Sequence, residues 1–150
     1  MENIYNALTV AKYVVAKCNE QGYTISNLKL QKVLYFIQAQ FLVATGEPCF
    51  SDNIEAWDFG PVIPKVYYWY LAYGSASIPY LYENYSCPFT SSFHKKMVDK
   101  MIEKCGKYSA ATLVQITTQQ TPWKNAWEKY KHSELIETIS HKSLIDYFKN

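Results

Sequence analysis

The sequence contains no arginine; all 15 of its basic residues are lysine. That removes the side chain whose planar fork reads guanine or phosphate with two parallel hydrogen bonds. Thirteen acidic residues oppose the lysines, leaving a net charge of +2 at pH 7. A dedicated nucleic-acid-binding domain concentrates a larger basic excess on one face. Nucleic acid is therefore not an expected partner. An AT-rich coding sequence would produce the same lack of arginine, so the absence excludes more than it explains.

Only 5 glycines occur, and none forms a phosphate-cradling loop. The 3 histidines, His94, His132 and His141, stand in no zinc-protease motif and beside no cysteine at a catalytic spacing. Each reads as a solvated residue. Cys18, Cys49, Cys87 and Cys105 are far apart, without the close pairs of a zinc site. No metal, no cofactor and no catalytic constellation is expected. No apolar run reaches the roughly 18 residues of a membrane span. The opening MENIYNALTV lacks the charged and apolar regions of a signal peptide. The reading is a soluble cytoplasmic protein with free thiols.

What the chain has is a core and a surplus of rings. Hydrophobic residues make up 49% and charged residues 19%, a balance opposite to that of disorder. A chain of 150 residues is expected to form one domain, 1–150. Aromatics reach 17%, with 14 Tyr, 7 Phe and 4 Trp.

Periodicity predicts a mostly α (α+β) fold, a compact bundle of about six helices with a small β-hairpin or ribbon after the second. Ile4, Leu8, Ala11, Val15 and Cys18 recur at helical spacing, ended by Gly22. Ser26 caps a second helix that stops at Gly46, with Leu30, Val33, Leu34, Ile37, Phe41 and Ala44 as its stripe. Phe36 and Val43 lie off that stripe, so this helix is apolar on most sides, as a central helix is. Residues 47–60 read as the ribbon, broken by Gly60-Pro61. A third helix opens at Pro64 and runs to about Tyr73, where Gly74 ends it. Residues 75–90, with Pro79, Asn84 and Pro88, read as a loop. A fourth helix follows Ser91 or Ser92 and ends at Gly106, with Phe93, Met97, Val98, Met101, Ile102 and Cys105 on its core face. Its Asp99 and Glu103 alternate with Lys95, Lys100, Lys104 and Lys107, the pattern of a solvated, ion-paired face. Ser109 caps a fifth helix. Thr121-Pro122 opens a short one bearing Trp123 and Trp127, and Ser140 starts the last. Residues 136–139 suit a short strand beside the ribbon.

Two features stand out against this background. Gln31 and Gln38 are seven residues apart with Tyr35 between them, bordering the apolar stripe of the second helix. They are either buried amides bonded to nearby backbone or a polar seam that meets a partner. Tyr67, Tyr68, Trp69, Tyr70 and Tyr73 crowd seven residues whose side chains fan out by about 100° per step. They either pack the ribbon and the following loop, or form a protein interface, where Tyr and Trp dominate.

The segments LKLQKVLYF (28–36), TGEPCF (45–50), IEAWDFGPVIPKVY (54–67), YGS (73–75), TPWKNAW (121–127) and IDYF (145–148) together resemble the Panacea domain family. This family is also called SocA-like and includes phage-associated proteins of the GepA type. The resemblance implies an antitoxin that neutralises its cognate toxin by direct protein contact, the toxin being in some cases a toxic small alarmone synthetase. It also implies one alternative, an adaptor that delivers a toxin to the ClpXP protease; a second alternative, read from Lys95 to Lys107 and not from the resemblance, is a nucleic-acid-binding regulator. A homodimer is compatible with an exposed aromatic helix. The candidate toxin contacts are Tyr35, Gln38, Tyr67, Tyr68, Trp69 and Tyr73. Gln31, Trp57, Gly60, Pro61, Gly74 and Trp123 are candidate structural residues, with Gly60-Pro61 as a strand-to-helix corner and Trp57 packed on the second helix.

Overall fold

A computed structural model of the chain describes residues 4–80 and 86–149. Among them are seven α-helices and one two-stranded antiparallel hairpin. Helix α1 spans Ala7–Gln21 and α2 spans Asn27–Thr45. The hairpin pairs β1, Glu55–Trp57, with β2, Gly60–Val62. Then come α3, Pro64–Trp69, a single 3₁₀ turn at Leu71–Tyr73, and α4, Ser92–Gly106. Helices α5, Ala110–Thr118, α6, Thr121–Ser133, and α7, His141–Phe148, complete the bundle. The fold is mostly α with a β-hairpin after the second helix, as the periodicity predicts.

Local chemistry sets these boundaries. Ser26, Ser91, Ser109 and Ser140 each cap a helix by accepting a backbone N–H with the side-chain oxygen. Gly22 and Gly46 end α1 and α2 in the left-handed conformation. Helix α2 is the hub: α1, α3, α4, α5, α7 and β2 all pack on it. Besides the stripe of Leu30, Leu34, Ile37 and Phe41, the side chains of Tyr35, Ala39 and Leu42 are buried on other sides of the helix, as a helix apolar on most sides requires.

The hub is also unusually polar inside, and the reason is the irregular chain wrapped around it. Residues 47–67 have little sheet or helix of their own to satisfy their backbone groups, so α2 supplies side-chain partners. Gln38 Oε1 accepts from the backbone N–H of Cys49 at 2.8 Å and of Phe50 at 3.2 Å. Its Nε2 donates to the Phe50 carbonyl at 2.8 Å. Gln31 Oε1 accepts the Ile63 N–H at 2.9 Å while its Nε2 donates to Asn27 Oδ1 at 3.0 Å, and Asn27 Nδ2 donates in turn to the Tyr67 carbonyl. Lys32 donates to the Pro61 carbonyl at 3.0 Å, and Lys29 donates to the carbonyl of Gly106 at 2.6 Å.

The structure corrects several boundaries and surroundings. Gly60-Pro61 does not break the ribbon but begins its second strand; the turn lies at Asp58-Phe59. Helix α3 ends at Trp69 and the chain tightens into the 3₁₀ turn, because Tyr70 turns inward and is buried. Residues 136–139 form a single bridge, Glu55 with Thr138, and not a strand. His94 is not solvated: it is buried against Phe41, with Nδ1 2.7 Å from the Tyr5 hydroxyl. Phe93 leaves the core face and is exposed. Of the acidic residues on α4, Asp99 pairs with Lys95 at 2.8 Å and Glu103 forms no ion pair among the described residues. Residues 81–85 of the expected loop, Asn84 among them, lie outside the described residues.

Candidate aromatic interface

The hairpin and α3 present one contiguous aromatic face. Trp57 lies on β1, Phe59 in the turn, and Tyr67 and Tyr68 on α3. The ring of Trp57 sits 5.7 Å from Phe59, 5.3 Å from Tyr67 and 6.1 Å from Tyr68. Most of these pairs meet edge to face, the arrangement that opposed ring quadrupoles favour. Trp57 therefore packs its ring on Phe59 and on α3. Its indole N–H donates to Glu55 at 2.9 Å, which sets the ring's orientation.

Outward from this cluster the rings reach solvent. Tyr68 is 60% exposed and Trp69 54%, and Leu71 beside them is exposed as well. Lys12 of α1 places its ammonium 4.9 Å from the Trp69 ring centre, holding that ring from one side. Tyr67 is half-buried and Tyr73 partly buried. A groove of about 310 Å³, lined by Leu28, Phe59, Tyr67, Leu71 and Gly74, runs along one flank.

On the other flank the face continues onto α6. Trp123 donates its indole N–H to the carbonyl of Trp57 at 2.8 Å. Trp127 stacks on Trp123 at 5.5 Å and Tyr130 stacks on Trp127 at 5.0 Å. A second groove of about 220 Å³ separates Trp57 from Trp127, Tyr130 and Ile136. Ile136 and its neighbour Leu135 are both exposed. Trp127, Tyr130, Leu135 and Ile136 escape the sequence reading as interface residues. The i, i+4 spacing of Trp123 and Trp127 and the apolar pair after α6 were the available signals.

The six candidate contacts thus separate. Tyr67 and Tyr68 join the ring cluster around Trp57, Trp69 is exposed beside them against Lys12, and Tyr73 is partly buried next to Tyr70. Tyr35 and Gln38 are both fully buried. Tyr35 donates to Gln120 at 2.8 Å and meets Phe36 and Phe148 edge to face. Burial drives its phenol well above the ordinary tyrosine range. Gln38 spends its whole amide on the 49–50 backbone. The candidate structural residues Gln31, Gly60, Pro61 and Trp123 are buried and Trp57 is half-buried, while Gly74 is exposed and ends the 3₁₀ turn.

Chemistry of other kinds finds little to work with. Among the described residues no group of three or more His, Cys, Asp or Glu side chains could hold a metal ion. All four cysteines are free. Burial pushes the thiol of Cys18 up to about 11 and that of Cys105 up to about 12, which leaves them protonated and unreactive near neutrality. No helix among the described residues is long and apolar enough to cross a membrane.

No solved structure matches the chain. Antitoxin SocA of Caulobacter vibrioides (strain NA1000 / CB15N) is 33% identical over 129 residues, covering 79% of this chain and 68% of the relative. Residues 30–124, from the first turn of α2 into α6, match the family described as Antitoxin SocA-like, Panacea domain. The hub helix apart from its first three residues, the hairpin and the aromatic α3 fall inside that match, and the chain belongs to the SocA-like antitoxin family defined by the Panacea domain.

Proposed function

We infer that this protein is an antitoxin that neutralises a partner toxin by direct contact through the aromatic face of the hairpin and α3. The observation that carries the reading is the exposure of Tyr68, Trp69 and Leu71 on a rigid base of packed rings. Rigid aromatic side chains bury a large area at little cost in rotamer entropy, so they serve as anchors. The two flanking grooves offer places for apolar side chains of the partner. A stable complex of this kind covers roughly 800 Å² on each protein. The kinship with Antitoxin SocA supports a toxin as the partner, and a toxic small alarmone synthetase is one class it would suit. The protein acts in this reading as a binding partner, not an enzyme, and in the cytoplasm where such a toxin is made.

The test is co-expression with the neighbouring gene. That gene should arrest growth alone and be tolerated when this chain is present. The two proteins should also co-elute at a fixed ratio, and the toxin's level should stay steady. A harmless neighbour, or one that stays lethal in the presence of this chain, would refute the reading. Accelerated loss of the toxin would point instead to delivery to a protease.

A further inference from the structure

The second surface of note lies at the opposite end of α2. A trough of about 600 Å³ runs between the C-terminal half of α2 and the outer side of α4. Phe93, Met97 and Met101 line its α4 side and Ala44 its α2 side. The three α4 residues recur every four positions and so align along the helix. Phe93 is the anomaly among them, a large ring with 54% of its surface in solvent.

Lys96, Lys100 and Lys104 also line the trough at the same four-residue spacing, one step round the helix. They form a lysine edge beside the apolar floor. None of the three forms an ion pair among the described residues. The carboxylate of Asp99 is already held, by Lys95 at 2.8 Å and by the hydroxyl of Tyr13. Glu103 is then the one lining acid left against three free ammonium groups.

We propose that this trough docks an acidic amphipathic helix of a partner protein. Apolar residues on one face of that helix sit on Phe93, Met97 and Met101, and carboxylates on its flank meet the lysine edge. The length fits: Phe93 to Lys104 spans about three helical turns, roughly 17 Å. Methionine adapts its shape to varied apolar side chains, which suits a groove of this type. A second copy of this chain fits less well, because it would bring three more lysines to the contact with only Glu103 as an unpaired lining acid. Nucleic acid fits less well too, because phosphates have no use for an apolar floor. The trough shares no residue with the aromatic face, and Asn27 and Gln40, which line the two surfaces, lie about 20 Å apart along α2. The proposal therefore stands apart from the toxin-binding reading.

The test uses the whole chain and a fluorescein-labelled helical peptide of four turns, with leucine along one face and glutamate along its flanks. Binding should saturate in the micromolar range and move the methyl resonances of Met97 and Met101. Combining Lys96→Glu, Lys100→Glu and Lys104→Glu should weaken it by about tenfold or more, and Phe93→Ala by about fivefold. Tyr68→Ala with Trp69→Ala should leave it unchanged. A scrambled peptide of the same composition should bind at least about tenfold more weakly. Absence of saturable binding, equal binding of the scrambled peptide, or shifts at other methyls alone would overturn the proposal. So would tighter binding of a short DNA duplex than of the peptide, or self-association that blocks the trough. All the substituted residues but Tyr68 and Trp69 lie along the trough; should a variant fail to fold, the peptide comparison and the methyl map on the unaltered chain still decide.

Discussion

The ammonium group of Lys32 lies 3.0 Å from the carbonyl oxygen of Pro61, sealed from solvent in the middle of the fold. Phe59 covers it at 5.2 Å. Desolvation lowers its pKa to about 7, because burial penalises the charged form. The unfolded chain holds that proton up to about 10.4. Between these two values the unfolded state binds more protons than the folded one, so stability rises with pH across that window. Lys29 is shifted in the same direction by burial. The buried thiols and phenols act oppositely. Cys18 and Cys105 are raised, and so are Cys49, Tyr35 and Tyr70, so the stability tied to them is lost above the ordinary cysteine and tyrosine values. Denaturant-unfolding stability should therefore climb from pH 7 to about 8, by at most about 1.4 kcal/mol per unit from Lys32, then level off and decline as the thiols titrate in the unfolded chain. In Lys32→Met the climb should flatten. A wild-type profile that is level or falling from pH 7 to about 8 would show that Lys32 keeps its proton in the fold.

Lys32 also explains a glycine. Gly60 has φ +111°, and a Cβ there would stand 2.8 Å from Lys32 Cε and 3.2 Å from Thr117 Oγ1. The lysine is buried and its ammonium is bonded to the Pro61 carbonyl, so moving it aside disturbs that bond. Gly60→Ala combines backbone strain with overpacking and should cost about 3 kcal/mol. For a chain of this size the thermal midpoint should drop by about 6–12 °C. Gly46→Ala is the comparison: its φ is +79° but nothing lies within 4 Å of the added carbon, so strain alone should cost less. Equal losses at the two positions would remove the steric role of Lys32.

Gln38 is the second internal strut. Gln38→Met keeps the volume but leaves two backbone N–H groups and one carbonyl at Cys49 and Phe50 without their partner. Each buried orphan costs about 1–3 kcal/mol, so a loss of about 3 kcal/mol or more is expected in equilibrium unfolding. The damage should be local. The 47–50 segment pairs with Tyr5, whose N–H donates to the Cys49 carbonyl at 2.7 Å, so amide exchange should accelerate first at Tyr5, Cys49 and Phe50. Uniform acceleration across α5 and α6 as well would contradict a local strut.

These struts mark where the sequence stopped being readable. Helix positions followed from spacing and from serine and glycine caps, all of them short-range signals. The burial of Gln31 and Gln38 was one of two open readings, and only the path of residues 47–67 around α2 decides between them. Lys29 and Lys32 look like ordinary surface lysines in a helix, since nothing local shows that a carbonyl from Gly106 or Pro61 will arrive above them. The aromatic cluster was visible as a surplus at 67–73. Which rings turn outward was not, because α3 stops after Trp69 and the 3₁₀ turn re-aims Tyr70 inward. The partnership of Trp57 with Trp123 joins residues 66 apart in the chain, beyond any periodicity.

The same division between core and surface yields the sharpest test of the proposed interface. Tyr68 and Trp69 make few internal contacts: Tyr68 touches the edge of Trp57 and Tyr67, and Trp69 meets Lys12. Tyr68→Ala with Trp69→Ala should therefore change stability by no more than about 1 kcal/mol, most of it from the lost cation–π contact. If these rings anchor the toxin, each contributes about 2 kcal/mol of binding, so the double variant should weaken the complex by several hundredfold and fail to protect cells in co-expression. Tyr35→Phe gives the opposite pattern. It removes the buried bond to Gln120 and should cost about 1 kcal/mol of stability while leaving toxin affinity unchanged. Calorimetric titration of the purified pair measures both quantities on the same samples. A double variant that still binds within about threefold of the wild type would move the interface away from α3, and the stacked Trp127 and Tyr130 on α6 would be the next surface to substitute.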